Sequence, residues 1–199
     1  MGPNSGIAIS HTGYWHGMID ANGLDEFGNH QHYFDESLAQ ELSTFLTTEE
    51  TQRLVDFGCG RGDYVKFLQG EGFLCDGYDG NPYTPSISNG LCKVLDLSQD
   101  FTLPKTYEWI ISLEVAEHLP PQYEEAFVEN LCNHSEKGII ISWAIEGQAG
   151  HGHFNCKNND YVKEQFSQRG YTNDEEAENI LRRASTLSWF ENTIMVFRK

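Results

Sequence analysis

The sequence predicts an α/β domain whose parallel sheet is covered by helices on both faces. Three observations carry this. Near-continuous apolar runs, such as Leu54-Val55, Trp109-Ile110-Ile111 and Ile139-Ile140-Ile141, alternate with segments of helical period. The first run ends at a glycine-rich turn, Asp56-Phe57-Gly58-Cys59-Gly60-Arg61-Gly62-Asp63, just before a helical pattern. Acids or polar loops follow several later runs, where ligands of such sheets bind.

The elements follow in order. Residues 1–36 are rich in Gly, Asn, His and aromatics without a sustained period, and contain Tyr14-Trp15-His16-Gly17 and His30-Gln31-His32-Tyr33-Phe34-Asp35. Disordered chains are poor in aromatics, so this segment reads as an ordered arm or lid, and 37–199 as the main domain. A helix is expected over Ser37 to Leu46, with Leu38, Leu42, Phe45 and Leu46 on one face. Strands are expected at Arg53 to Phe57, Phe73 to Tyr78, Leu91 to Leu95, Trp109 to Leu113 and Gly138 to Trp143. Helices are expected at Tyr64 to Glu71, Gln122 to Asn133, Tyr161 to Arg169 and Asp174 to Arg183. Strands at Leu187 to Phe190 and Thr193 to Phe197, around a turn at Glu191-Asn192, close the chain.

Composition narrows the function. The chain has 199 residues, 30 acids against 13 bases, and a formal charge of -17. Nucleic-acid binding needs a basic face, so nucleic acid is disfavoured as a partner. No apolar run reaches the ~20 residues of a membrane span, and Met1 to Ser10 lack the basic start and apolar core of a secretory signal. Five cysteines without a CxxC pair read as reduced thiols of a cytoplasmic protein. His11 and His134 read as ordinary surface residues.

The glycine turn offers bare backbone and a helix start to a nucleotide-like ligand. Its spacing differs from the dinucleotide fingerprint, and Asp56 and Asp63 flank it. Carboxylates there repel a pyrophosphate and favour a cation or an amino group. Asp79, ending the second strand before Gly80 and Asn81, can accept both hydroxyls of a ribose, or it can be a turn residue. Asp96, before Leu97, can accept from an adenine amino group, or it can be a cap.

Taken together, "LVDFGCGRGD", "CDGYDGNP", "VLDLS" and "WIISLEVAEHLP" resemble the class I S-adenosylmethionine-dependent methyltransferases, from about residue 50 to the C-terminus. That resemblance implies a Rossmann-like, seven-stranded, mostly parallel sheet with a C-terminal antiparallel hairpin. It implies S-adenosylmethionine as cofactor and S-adenosylhomocysteine as product. Asp56, Gly58, Cys59, Gly60 and Gly62 would surround its methionine part, with Leu113 and Glu114 beside it. Asp79, Gly80 and Asn81 would meet the ribose, and Asp96 and Leu97 the adenine. Methyl transfer is then an in-line displacement, in which the protein supplies proximity, orientation and, for some acceptors, a base.

For the acceptor side, Glu114, Glu117 and His118 are the candidate catalytic residues, and three readings stand. The segment can be an ordinary element after the fourth strand. His118 can be a general base, since an imidazole titrates near neutrality. Glu-x-x-Glu-His also resembles the metal-binding segment of small-RNA 2′-O-methyltransferases, with His151 and His153 downstream. A metal-assisted RNA 2′-O-methyltransferase is therefore the alternative, although the charge opposes it and no metal is expected. A non-catalytic binding module is the other alternative. Tyr14, Trp15, His16, Trp143, Gln148, His151, His153 and Asn155 are expected to shape the pocket of a small polar acceptor. The acceptor atom and the oligomeric state are not legible.

Overall fold

The computed structural model describes residues 8–18, 20, 24 and 32–199. The rest of the expected arm lies outside the described residues. A small antiparallel pair, β1 (Ala8–Ile9) and β2 (Trp15–His16), precedes α1 (Glu36–Thr48). Then come β3 (Arg53–Phe57), α2 (Asp63–Gly70), β4 (Leu74–Asp79), α3 (Thr84–Ile87), β5 (Lys93–Val94) and β6 (Tyr107–Ser112). Two 3-10 turns, Ala116–His118 and Pro121–Tyr123, lead into α4 (Glu124–His134) and β7 (Ser135–Ser142). The chain ends with α5 (Asn159–Ser167), β8 (Thr172–Asn173), α6 (Glu175–Ala184), α7 (Phe190–Thr193) and β9 (Ile194–Arg198).

The main sheet has the order β5-β4-β3-β6-β7-β9-β8. All neighbours are parallel except β9, which runs antiparallel to β7 and β8. The order reverses between β3 and β6, which opens a crevice at their carboxyl ends. The continuous apolar strands divide alternately between two cores. Val55, Phe57, Ile139 and Ile141 pack with Phe127 and Leu131 of α4 and Phe166 of α5. Leu54, Ile111 and Ile140 pack with Leu38 and Leu42 of α1, Val65 of α2 and Leu181 of α6. Among the described residues, no helix is long and apolar enough to cross a membrane.

Helix α1 starts at Asp35, whose side chain accepts from the Leu38 N–H at 3.1 Å. Its other carboxylate oxygen accepts from Ser185 Oγ and from the Thr186 and Leu187 N–H groups. These donors explain a correction. Residues 187–190 are not a strand, because their approach is wrapped around Asp35 and the chain then turns into α7. The antiparallel C-terminal pair exists, but its first strand is β8, whose two residues are too short to show a period. Further corrections are smaller. The third strand shrinks to Lys93–Val94, and β7 begins at Ser135. His134 is buried, its Nε2 accepting from the Leu103 N–H at 3.0 Å, so it is a core residue. All five cysteines are free thiols.

Candidate active site

A cavity of about 440 Å³ lies over the carboxyl ends of β3, β4 and β6. Its floor is the glycine turn. Gly58 has φ +87°, and a Cβ there would fall 2.2 Å from Val115 Cγ2. The backbone must therefore be bare and left-handed at this point. The Gly58 N–H and the Cys59 N–H donate to Tyr78 O, which ties the turn to β4. Asp79 completes the tie. Its Oδ2 accepts from the Gly60 N–H at 2.9 Å and its Oδ1 from the Asn81 N–H at 2.8 Å. Each oxygen keeps a further lone pair, so the turn role leaves the carboxylate able to accept from a ligand as well.

Asp56 stands behind the turn, 3 % exposed. Burial, and then the Asp79 charge, push its carboxyl up to about 8. Asp96, at the far end, accepts from Ser98 N and Ser98 Oγ through Oδ1, while its Oδ2 faces Thr12 Oγ1 at 3.4 Å. The described part of the arm lies across this end. The Tyr14 side chain covers Gly80, and Asn81 Nδ2 donates to Gly17 O at 2.9 Å.

The opposite end is built by β6, the first 3-10 turn and the loop after β7. Glu114 has φ +55°, a strained value for a non-glycine residue. Ser142 holds it there: the Glu114 N–H donates to Ser142 Oγ at 2.7 Å, and Ser142 Oγ donates to Glu114 Oε1 at 2.8 Å. Gln148 Nε2 donates to its Oε2 at 3.3 Å. Burial nevertheless raises the Glu114 carboxyl. Glu117 is fully buried, and neither of its carboxylate oxygens has a hydrogen-bond partner. Burial, and then the Glu114 charge, push it well up.

His118 Nδ1 sits 3.2 Å from Gly152 O. Trp15 and His153 meet its ring edge-on, each with centroids 5.1 Å away. Burial, followed by the neighbouring His153, pushes its imidazole down to about 3. The ring is thus neutral, and the near-neutral titration expected from the sequence is not what this environment gives. The Phe154 and Asn155 N–H groups both donate to Glu117 O, at 2.8 and 3.0 Å, and so fasten the loop to the turn.

Of the residues singled out in the sequence, Asp56, Gly58, Cys59, Asp79, Gly80, Asn81, Asp96, Leu97, Leu113, Glu114 and His118 line the cavity, as do Tyr14, Trp15, Gln148, His151 and His153. Others do not. Gly60 lies against the His32 ring, and Gly62 against Cys92 Sγ. Glu117 sits behind the wall. Trp143 and Asn155 are buried supports: Trp143 Nε1 donates to Asn155 O at 2.6 Å, and Asn155 Nδ2 to Glu124 Oε2 at 2.8 Å. His16 is exposed and meets Tyr83 edge-on instead. The structure adds His32, Tyr33 and Trp189 to the lining. His32 and Tyr33 stood in the aromatic arm, whereas nothing in the sequence marked Trp189.

With this geometry in place, comparison with known proteins is decisive. Residues 30–176, well over half of the chain, match the family model described as a methyltransferase domain. The chain belongs to the methyltransferase domain family. The class I fold expected from the motifs is also that of solved methyltransferases. A magnesium protoporphyrin IX methyltransferase from Synechocystis PCC 6803, solved with bound SAH, superposes with a TM-score of 0.62 at 17% identity, covering 87% of this chain and 90% of that one. An amino pentose methyltransferase from Micromonospora echinaspora, solved with SAM, gives 0.64 at 12% identity, covering 85% and 99%. A 1,6-didemethyltoxoflavin-N1-methyltransferase from Burkholderia thailandensis gives 0.57 at 11% identity, covering 83% and 79%. No curated protein sequence matches the chain.

Proposed function

We propose that this methyltransferase transfers a methyl group from S-adenosylmethionine to a small polar acceptor. The observation that carries the reading is Asp79, fixed by Gly60 and Asn81 at the end of β4 beside a bare glycine turn. Asp79 would take the ribose hydroxyls, Asp96 and Leu97 the adenine, and Gly58 with Asp56 the amino-acid part. The residues fit such a ligand: the turn leaves no side chain in the way, and Asp56 is a buried acid that a ligand ammonium would pull into its ionised form. The solved neighbours named for SAM or SAH and for small-molecule acceptors support the same reading.

When bound, the cofactor supplies an electrophilic methyl on sulfur. The chain's own residues do the rest. Ser142 and Gln148 hold Glu114 at the cavity wall. Trp15, with Tyr14 of the arm, covers the site and excludes water. His118, neutral and partly buried, orients the acceptor or receives its proton. The formal charge of -17 supports a neutral or cationic acceptor and speaks against RNA. Incubation with methyl-labelled S-adenosylmethionine and panels of small amines, hydroxyls, thiols and sugars tests this. A labelled product from one class is expected; label appearing only in added RNA would overturn the small-molecule reading.

A further inference from the structure

Gly80 poses a question that the methyl-transfer reading leaves unsolved. Its φ is not positive, so the backbone there does not require glycine. A Cβ at this position would lie 2.6 Å from Tyr14 Cβ. The missing side chain is therefore the seat of the arm. The arm is fitted as closely on either side of this seat. Thr12, buried, donates through Oγ1 to Asp96 Oδ2 at 3.4 Å, and Gly17 O accepts from Asn81 Nδ2 at 2.9 Å. The turn between β1 and β2 presses on the first 3-10 turn: Gly13 has φ +100°, and a Cβ there would lie 2.2 Å from His118 O. Trp15 meets the His118 and His151 rings edge-on. Segment 8–18 thus touches the residues assigned to ribose and adenine before it reaches the opposite end.

We propose that segment 8–18 is a clamp on the adenosine half of the cofactor, with Thr12 and Tyr14 as cofactor-positioning residues rather than parts of the acceptor pocket. The inference rests on the proposed S-adenosylmethionine site, whose ribose and adenine ends are the residues the arm touches. The arm roofs this end without filling it: the cavity of about 440 Å³ lies beneath, with Thr12 and Tyr14 in its lining. The chemistry suits an adenine amino group. Asp96 Oδ1 is taken by Ser98 N and Ser98 Oγ. Asp96 Oδ2 and the Thr12 hydroxyl, its proton given to that oxygen, keep lone pairs for the two amino hydrogens. Closure over an empty site also carries a cost. Trp15 Nε1 is a buried donor with no partner among the described residues. Contacts with a ligand beneath the arm offset that cost, so binding favours the closed arm. The cofactor then enters and leaves when the arm lifts, and the product's departure is slowed by the same contacts.

The test measures S-adenosylhomocysteine dissociation from the full chain by stopped flow, and hydrogen exchange of the wild type with and without that ligand. Gly80→Ala unseats Tyr14, and Gly13→Ala drives the turn off His118 O. Each should speed dissociation by about tenfold or more, since loss of a contact surface acts mainly on the off-rate. Melting curves of both variants establish that they fold. In the wild type, the amides of residues 13–16 should exchange about tenfold more slowly once the ligand is bound. This second measurement decides the matter without any substitution. Dissociation within about twofold of wild type in both folded variants, or exchange at residues 13–16 unchanged by bound ligand, overturns the clamp. Failure of S-adenosylhomocysteine to bind the wild type at all overturns the proposed cofactor site instead, which keeps the two readings apart.

Discussion

Asp79 Oδ2 accepts the Gly60 N–H at 2.9 Å, so the acid that ends β4 also fixes the glycine turn that ends β3. One carboxylate thus shapes the floor and lines the cavity above it. Asp79→Asn removes the charge but keeps an acceptor, and should weaken S-adenosylhomocysteine by about tenfold. Asp79→Ala should cost about a hundredfold, in line with ~1.5–3 kcal/mol for hydrogen bonds to a charged group. Calorimetry on the two variants measures both. Equal affinity in wild type and Asp79→Ala contradicts the assignment.

At the proposed site, Asp56 would link ligand binding to protons. Its carboxyl is raised to about 8, so the free protein holds a proton there at pH 7. A ligand ammonium favours the ionised form, so binding should release a proton and tighten from pH 6 to pH 8. Calorimetry in buffers of different ionisation enthalpy detects that release. The stability effect has the opposite sign. A raised acid contributes fully below its unfolded value near 4, and that contribution is lost as pH rises toward 8. Asp56→Asn should therefore melt higher than wild type at pH 8, by at least about 2–4 °C, the shift for 1 kcal/mol in a domain of this size. It should bind the ligand more weakly.

Gly58→Ala meets two obstacles, φ +87° and a Cβ 2.2 Å from Val115 Cγ2. Left-handed backbone alone costs of order 1 kcal/mol or more. Loss of ligand binding and a lower melting temperature are expected. Adding Val115→Ala should restore part of the stability, because it removes the clash and leaves the strain. A double variant no better than Gly58→Ala would show that the clash is not a real constraint.

Asp35 is a structural hub that does not itself line the cavity. Burial alone would raise its carboxyl, but Ser185 Oγ and the N–H groups of Leu38, Thr186 and Leu187 outweigh burial and lower it. Asp35→Ala should cost about 2 kcal/mol, a helix cap plus buried donors left unpaired. The part of the wild-type advantage that comes from the lowered carboxyl is present above the unfolded value near 4 and is lost as pH falls through the lower folded value. Denaturant melts taken from pH 7 downward should show the difference between wild type and Asp35→Ala narrowing with falling pH.

Much of the fold was legible because strand and helix periods are local. Arg53 to Phe57 is a strand with the expected ends, and its apolar residues split between two cores as continuous patterns require. Leu187 to Phe190 misled because the Leu187 N–H, with that of Thr186 before it, goes to Asp35, some 150 positions earlier in the chain, and the Phe190 N–H turns back to Leu187 O. The glycine-turn end of the cavity was readable, since Asp56, Asp79 and Asp96 each lie at or just after a strand end and all line it. The opposite end was readable only in part: Glu114, His118, Gln148, His151 and His153 do line the cavity. Trp143 and Asn155 have the composition of a pocket, yet they pair with each other and with Glu124 beneath it. The hold of the 150–155 loop on Glu117 O, through the Phe154 and Asn155 N–H groups, is a backbone contact that no spacing encodes.

The most direct test of the central claim is titration of wild-type protein with S-adenosylhomocysteine, with NAD as the comparison ligand. One equivalent of S-adenosylhomocysteine binding at micromolar or better, with no heat from NAD, is the result predicted. Absence of S-adenosylhomocysteine binding to a folded protein would contradict it.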